Sequence, residues 1–282
     1  MTSTTSLGAL AEQHLPAEAA ARWISLLRPA VRLSAAESGG GVVVGRLGGA
    51  PELPAKVEWP EWPGNGPLSF VASVECAALP RRELDIALPA DGTLLFFYFD
   101  GQFDDGSALV YCADPASMAG ARVVYVPAGT LVEPRAAPEG LTPFEQVKLT
   151  ADVVSTPPQP GHALLCEAKL ASGETLDEAL DAAGFEDVLI DAISEPWHQI
   201  GGHARPVQGG VEFEIAITAL GGGEIWSDPR LGAEAARWIL LAQIESDGDL
   251  MWGDAGALYW LIKPEDLAAR RFDKALFTWQ CG

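Results

Sequence analysis

Phe70-Val-Ala-Ser-Val-Glu75, followed by Gly92-Thr-Leu-Leu-Phe-Phe-Tyr98, is a stretch that this chain writes twice. Toward the C-terminus it returns as Leu240-Leu-Ala-Gln-Ile-Glu245, followed by Gly256-Ala-Leu-Tyr-Trp-Leu-Ile262. A glycine pair precedes each copy, Gly48-Gly49 in the first and Gly201-Gly202 in the second. Matching positions lie 153 residues apart at the glycine pairs (48 to 201), 170 at the first strands (70 to 240) and 164 at the second (92 to 256). That drift is expected from loops of different length. A fainter echo sets Ala108-Leu-Val-Tyr-Cys112 against Leu276-Phe-Thr-Trp-Gln-Cys281. A repeated supersecondary unit specifies architecture before activity. The expected fold is α+β: two pseudo-repeated, mainly antiparallel β units sharing a core, with an N-terminal helix and a few short helices.

Working outward, residues 1–14 read as frayed, and Pro16 stands where a first helical turn begins. Trp23, Leu26, Leu27, Ala30 and Val31 then share one helical face, with Pro29 bending or shortening the helix. Gly39-Gly40-Gly41 breaks the chain, and Val42-Val43-Val44 reads as a short strand. Trp59-Pro60 and Trp62-Pro63 predict a long extended loop, either an exposed aromatic patch or packing between the repeats. Strands are predicted at 68–75, 93–99, 108–112, 122–126, 147–153, 237–245 and 257–262. Thr175 and Glu178 form a capping box for a helix ending at Gly184. Pro196-Trp197 opens the second unit, 209–230 reads as a loop-bearing insertion, and Pro264 starts a last short helix. These signals divide the chain into a tail and bracing helix (1–38) and one duplicated domain (39–282). Within the latter, repeat one covers about 39–130, a connection with seven prolines in its 127–160 stretch about 131–190, and repeat two about 191–282.

A chain of 282 residues, 48% hydrophobic and 20% charged, has the composition of a globular protein with a sizeable core. Its 39 acidic against 18 basic side chains leave a net charge of −21, which repels a phosphate backbone and argues against nucleic-acid binding. The same charge favours solubility and attraction of a basic protein partner. No apolar run reaches the length of a membrane span, and Met1-Thr-Ser-Thr-Thr-Ser6 lacks the features of a signal peptide. Cys76, Cys112, Cys166 and Cys281 form no Cys-x-x-Cys pair, as expected of reduced thiols in a cytoplasm. No cofactor is expected.

Several of these residues carry a family pattern. Gly48-Gly49-x-Pro51-x-Leu53-Pro54, Trp59-Pro60, Pro67-Leu68-x-Phe70-x-Ala72 and Leu88-Pro89-x-x-Gly92 lie in the first half. His198-Gln-Ile-Gly201-Gly202 with Gln208, then Leu240 through Asp247, then Met251-Trp252-Gly253-Asp254 lie in the second, and Asp266-Leu267 through Trp279-Gln280-Cys281 continues to the end. Over about residues 40–282 the chain resembles the YwqG-like family of bacterial proteins, a domain of unknown function. The resemblance implies an internally duplicated α+β fold and, from relatives near toxin and immunity genes, a protein-binding role. Ser73 departs from the Gln usual there, and Glu245 from the usual Asp.

The strongest chemical cluster is Gly48, Gly49, His198, Gln199, Gly201, Gly202, Gln208, Gln243, Trp252 and Asp254, with Glu245 and Asp247 beside it. Glycine pairs let backbone amides approach a ligand closely, and a histidine with a carboxylate can act as a general base. The same residues equally serve as turn and strand-end supports. Two functions therefore stay open. The leading one is a non-catalytic binding or protein-interaction module, with toxin neutralisation inside that class and its site in a groove formed by the two Gly-Gly loops, the Trp252-Gly253-Asp254 turn and the Gln243/Glu245 strand end. Its rival is a metal-independent hydrolase or transferase using His198 with Asp254 or Glu245. Glu245-Ser-Asp-Gly-Asp249 fails the EF-hand order, and His14, His162, His198 and His203 show no metal-ligand spacing.

Overall fold

The computed structural model describes residues 4–36, 41–193, 198–248 and 250–282. The Gly39-Gly40 break, Pro196-Trp197, Asp249 and the first three residues of the N-terminal stretch lie outside them. Ten strands form the main sheet: β1 Arg28–Ala35, β2 Gly45–Leu47, β3 Ser69–Glu75, β4 Thr93–Tyr98, β5 Ala121–Val126, β6 Val147–Thr156, β7 His198–Gly201, β8 Ile239–Glu245, β9 Ala257–Ile262 and β10 Leu276–Gln280. Their order is β10-β9-β8-β7-β1-β6-β2-β3-β4-β5, antiparallel at every pairing.

The long strands β1 and β6 pair at the centre, and a short strand ending in a glycine pair flanks each. Beyond these lie a bulged strand and two more. The bulges match: register slips between Phe70 and Ala72 in β3, and between Leu240 and Ala242 in β8. All four paired glycines adopt positive φ, +54° and +74° at Gly48 and Gly49, +71° and +73° at Gly201 and Gly202.

The sheet curls until its two ends face each other. Phe96 of β4 meets Trp260 of β9 at 5.1 Å between ring centroids, and Tyr98 stacks on Phe277 of β10 at 4.8 Å. Val71, Val74, Leu94, Leu241, Ile244 and Leu258 fill the rest of this interior. The gap between edge strands β5 and β10 is bridged by residues 270–274, where Phe272 packs on Tyr125 at 5.3 Å and Arg270 donates to the Tyr125 hydroxyl. Full burial of each large apolar side chain is worth about 1.5–3 kcal/mol, so this aromatic closure holds the curl.

The convex side is covered in three patches. Helices α1 Thr4–His14, α2 Ala17–Ile24, α3 Ala163–Glu167, α4 Leu176–Ala182 and α5 Phe185–Ala192 contribute Leu7, Trp23, Leu165, Leu180 and Phe185 against Ala30 and Val154 of the central strands. The 51–68 loop covers Phe70, Leu95 and Phe97. Residues 202–210 and α6 Val211–Ala219 cover Leu240, Tyr259 and Leu261. Two shorter helices, α7 Leu231–Ala235 and α8 Pro264–Ala268, complete the set used below.

The structure departs from the sequence reading in five places. Residues 4–14 are helical, since Leu7 and Ala11 bury against the helical layer. The bracing helix stops at Ile24, and Arg28–Ala35 is the central strand. Pro29 cannot continue a helix and pushes Arg28 into extended geometry. Ala30 then faces the helices and Val31 the interior, a period of two. Val42 and Val43 are exposed outside any strand, with β2 beginning at Gly45. The 108–112 segment is a turn, and β5 takes the place beside β4 that β10 holds beside β9. The 209–230 segment carries α6 rather than only loop. The capping box at Thr175 and Glu178 forms as predicted.

Candidate functional site

His198 is the first residue of β7, and strand alternation turns it to the concave side with Ile200. It lines a cavity of about 200 Å³ at the end of the sheet where β1 finishes and β6 begins. Ala35, Leu47, Phe144, Val147, Leu149 and Leu250 form the apolar wall, and Glu145, Asp247 and Gly248 stand with His198 on the polar side. The imidazole is 3% exposed. Among the described residues its buried Nδ1 has no hydrogen-bond partner, and its Nε2 faces Asp247 Oδ2 at 3.8 Å, beyond hydrogen-bond length. Burial pushes the ring's pKa down to about 4 against the opposing pull of Asp247, so the imidazole is neutral at pH 7.

The glutamines do a different job. Gln199, Gln243, Tyr259 and Thr278 sit opposite one another on β7, β8, β9 and β10, forming one polar row on the convex face. Residues 202–210 run across this row and are strapped to it. Gln199 donates to the carbonyls of Gly201 and His203. Gln243 accepts from the Arg205 amide and donates to the Arg205 carbonyl and to Glu245. The Tyr259 hydroxyl donates to the same carbonyl. Gln280 accepts from the amides of Val207 and Gln208 and donates to the Gly209 carbonyl. Buried backbone groups without partners are costly, and this loop crosses a sheet face where no strand can supply them. The corresponding row of the first half is Arg46, Ser73, Leu95 and Val124, of which Leu95 and Val124 pack under the Trp-Pro loop. There Trp59 packs edge-on to Phe97 and donates to the Leu68 carbonyl, so the tryptophans serve as packing.

A third cluster escaped sequence reasoning. Leu164 N–H donates to His162 Nδ1, which puts the His162 proton on Nε2. His203 Nε2 lies 2.8 Å from the Leu26 carbonyl and must donate to it. His162 Nε2–H is therefore shared between His203 Nδ1 at 3.2 Å and Glu212 at 3.3 Å. Burial, with the neighbouring His162, drives the His203 pKa down to about 3. Burial opposes the Glu212 charge, yet His162 holds its carboxyl below the ordinary value. The cluster ties the α2–β1 link, α3 and α6 together. Its members are 41 and 9 residues apart in sequence (162 to 203 to 212), so no local spacing announces it.

The predicted residues therefore separate into several places. β1 runs antiparallel to both β6 and β7, and β6 antiparallel to β2, so Gly48-Gly49 and Gly201-Gly202 lie at opposite ends of the sheet. They share no groove. Gly202 is needed for close approach, because a Cβ there would lie 2.4 Å from Thr156 Oγ1 and 2.7 Å from Ala30 Cβ. The carboxylate facing His198 is Asp247. Glu245 is held by Arg205 and Gln243, and the Asp254 carbonyl accepts from Gly282 N–H at the chain end. Trp252 is a core residue packed against Phe144 and Tyr98. Gln208 is exposed and donates to the Cys281 carbonyl. The apolar wall of the cavity gave no sequence signal, since strand-end aliphatic residues look the same whether they face a void or a neighbour.

Among the described residues, no three His, Cys, Asp or Glu side chains are arranged to hold a metal ion, and no helix is long and apolar enough to cross a membrane. No curated protein matches the chain. The pattern of one family, described as a domain of unknown function (DUF1963), matches residues 45–281, from the first residue of β2 to one residue past β10. That span takes in nine of the ten strands, and on it the chain belongs to the DUF1963 family.

Proposed function

We propose that the protein is a binding module and that its site is the cavity beside His198. One observation carries this reading: a buried, neutral imidazole stands on the wall of a cavity with, among the described residues, Nδ1 unpartnered and Nε2 still 3.8 Å from the Asp247 carboxylate. Buried polar groups are normally hydrogen-bonded, and a mostly apolar cavity with a few polar groups is the usual form of a small-ligand site. The hydrolase alternative draws less support. Neither Asp254 nor Glu245 lines the cavity, the Glu245 carboxylate is held by Gln243 and Arg205, and among the described residues the cavity wall offers no Ser, Thr, Cys or Lys nucleophile. The test is native mass spectrometry of protein isolated gently from its own cells. A retained small molecule, lost when Leu47→Trp fills the cavity, is the expected result. Turnover of a substrate that survives Leu47→Trp and stops with His198→Ala would overturn it.

We also propose that the two halves descend from one duplicated unit, within the YwqG-like group of bacterial proteins. The palindromic strand order, matched bulges and matched glycine pairs support the duplication. Function in the cytoplasm is supported by four free cysteines, and a basic protein as a second partner by the net charge of −21; a pull-down tests the latter.

A further inference from the structure

Resting on the cavity-binding reading above, we infer that the ligand is a small organic ammonium: a protonated amine on a compact apolar body of about six to eight non-hydrogen atoms. The size follows from volume. A dry cavity of ~150 Å³ accommodates benzene, and this one measures about 200 Å³.

The charge follows from what lines it. Glu145 and Asp247 are its carboxylates, and among the described residues no Lys or Arg contributes to the wall. An anion would meet two like charges with no cation to pair with. A neutral hydrocarbon would fill the apolar part and leave the polar side of the cavity unused. An ammonium uses both. His198 Nε2 and Asp247 Oδ2 stand 3.8 Å apart, so one nitrogen can lie about 2.8 Å from each. The contact to the carboxylate is then charge-assisted. Phe144, on the same wall, presents a ring to the cation or its alkyl body. The neutral state of His198 suits this role, because an imidazolium would repel the ligand. Asp247 is 57% exposed and lies at the rim, where it also attracts cations from solution. The acidic surface as a whole raises their local concentration.

The experiment compares three near-isosteric probes against the intact chain by ¹⁵N–¹H NMR titration and calorimetry: 3-methylbutylamine, 3-methylbutan-1-ol and 3-methylbutanoate. The amine is expected to bind at least tenfold more tightly than the alcohol, with shifts at Leu47, Leu149 and Leu250, and the acid is expected not to bind. Asp247→Asn, an exposed and fold-neutral change, should weaken the amine more than tenfold and leave the alcohol unchanged. An alcohol or acid that matches or exceeds the amine overturns the ammonium assignment while leaving the cavity-binding reading standing. Absence of binding by all three overturns both.

Discussion

Replacing Gln243 by Leu tests whether the glutamine row is a scaffold or a site. Gln243 is fully buried and makes three hydrogen bonds through its amide, two to the Arg205 backbone and one to Glu245. Leucine fits the volume but removes all three. Each typical bond contributes about 1 kcal/mol net, and a buried group left unpaired costs ~1–3 kcal/mol. Tyr259 still serves the Arg205 carbonyl and Arg205 still pairs with Glu245, so only the Arg205 amide is left bare. The expected loss is therefore about 3–4 kcal/mol, or roughly 10 °C in Tm for a domain of this size. Urea unfolding read by tryptophan fluorescence measures it. Gln208→Leu is the internal control. Its side chain is exposed and makes one bond, to the Cys281 carbonyl, so it should lose less than about 1 kcal/mol. A Gln243→Leu protein as stable as the parent would refute the scaffold argument and return the glutamines to the list of ligand contacts.

Acid should destabilise the fold before its carboxylates titrate. His198 and His203 have folded pKa values lowered to about 4 and about 3, so below pH 6.5 the unfolded chain binds protons that the folded chain refuses. Stability is full above about pH 7 and falls between pH 7 and pH 5 by roughly 2 kcal/mol per histidine. Urea midpoints measured across that range should flatten in His198→Leu. Burial raises the Glu214 carboxyl, which works in the opposite direction nearer its own titration. Gly202→Ala should cost about 2–4 kcal/mol, because positive φ and the contacts with Thr156 and Ala30 combine, while Gly173→Ala, with positive φ in open space, should cost about 1 kcal/mol. Trp260→Ala removes a side chain packed on both Phe96 and Phe277, and a loss of about 3–5 kcal/mol in the same unfolding assay is expected.

The aromatic strands were legible because their composition and repetition are local properties. Phe70 through Tyr98 and Leu240 through Ile262 became β3, β4, β8 and β9 at nearly the positions read from sequence. What escaped was whatever depends on distant partners. The helical apolar spacing of Trp23, Leu26, Leu27, Ala30 and Val31 runs on into Arg28–Ala35, and only the pairing with β6 and β7 makes that segment a strand. At the site, His198 and Asp247 were visible as chemistry, but their apposition comes from sheet register. Gln199, Gln243 and Gln280 stood out as polar residues in apolar strands. Their purpose became clear only from the loop whose backbone they hold, together with Thr156 and Tyr259.

The exchange of central strands between the halves has a consequence for synthesis. β1 is the first strand in chain order, yet both of its neighbours, β6 and β7, come later, and β7 ends 166 residues after β1 does (35 to 201). At ~5–20 residues per second, a ribosome needs about 8–30 s to deliver them. Until β6 is complete at Thr156, β1 carries two unsatisfied edges of the kind that recruit foreign strands, and until β7 follows it carries one. The first aromatic hairpin, β3 and β4, can collapse in the meantime with β2 and β5 at its sides, because all four precede β6 in the chain. Nascent chains stalled before residue 198 should therefore be bound by chaperones or prone to aggregation; release past residue 201 should let β1 pair on both sides, and the curl should close only after β9 and β10 bring Trp260 and Phe277.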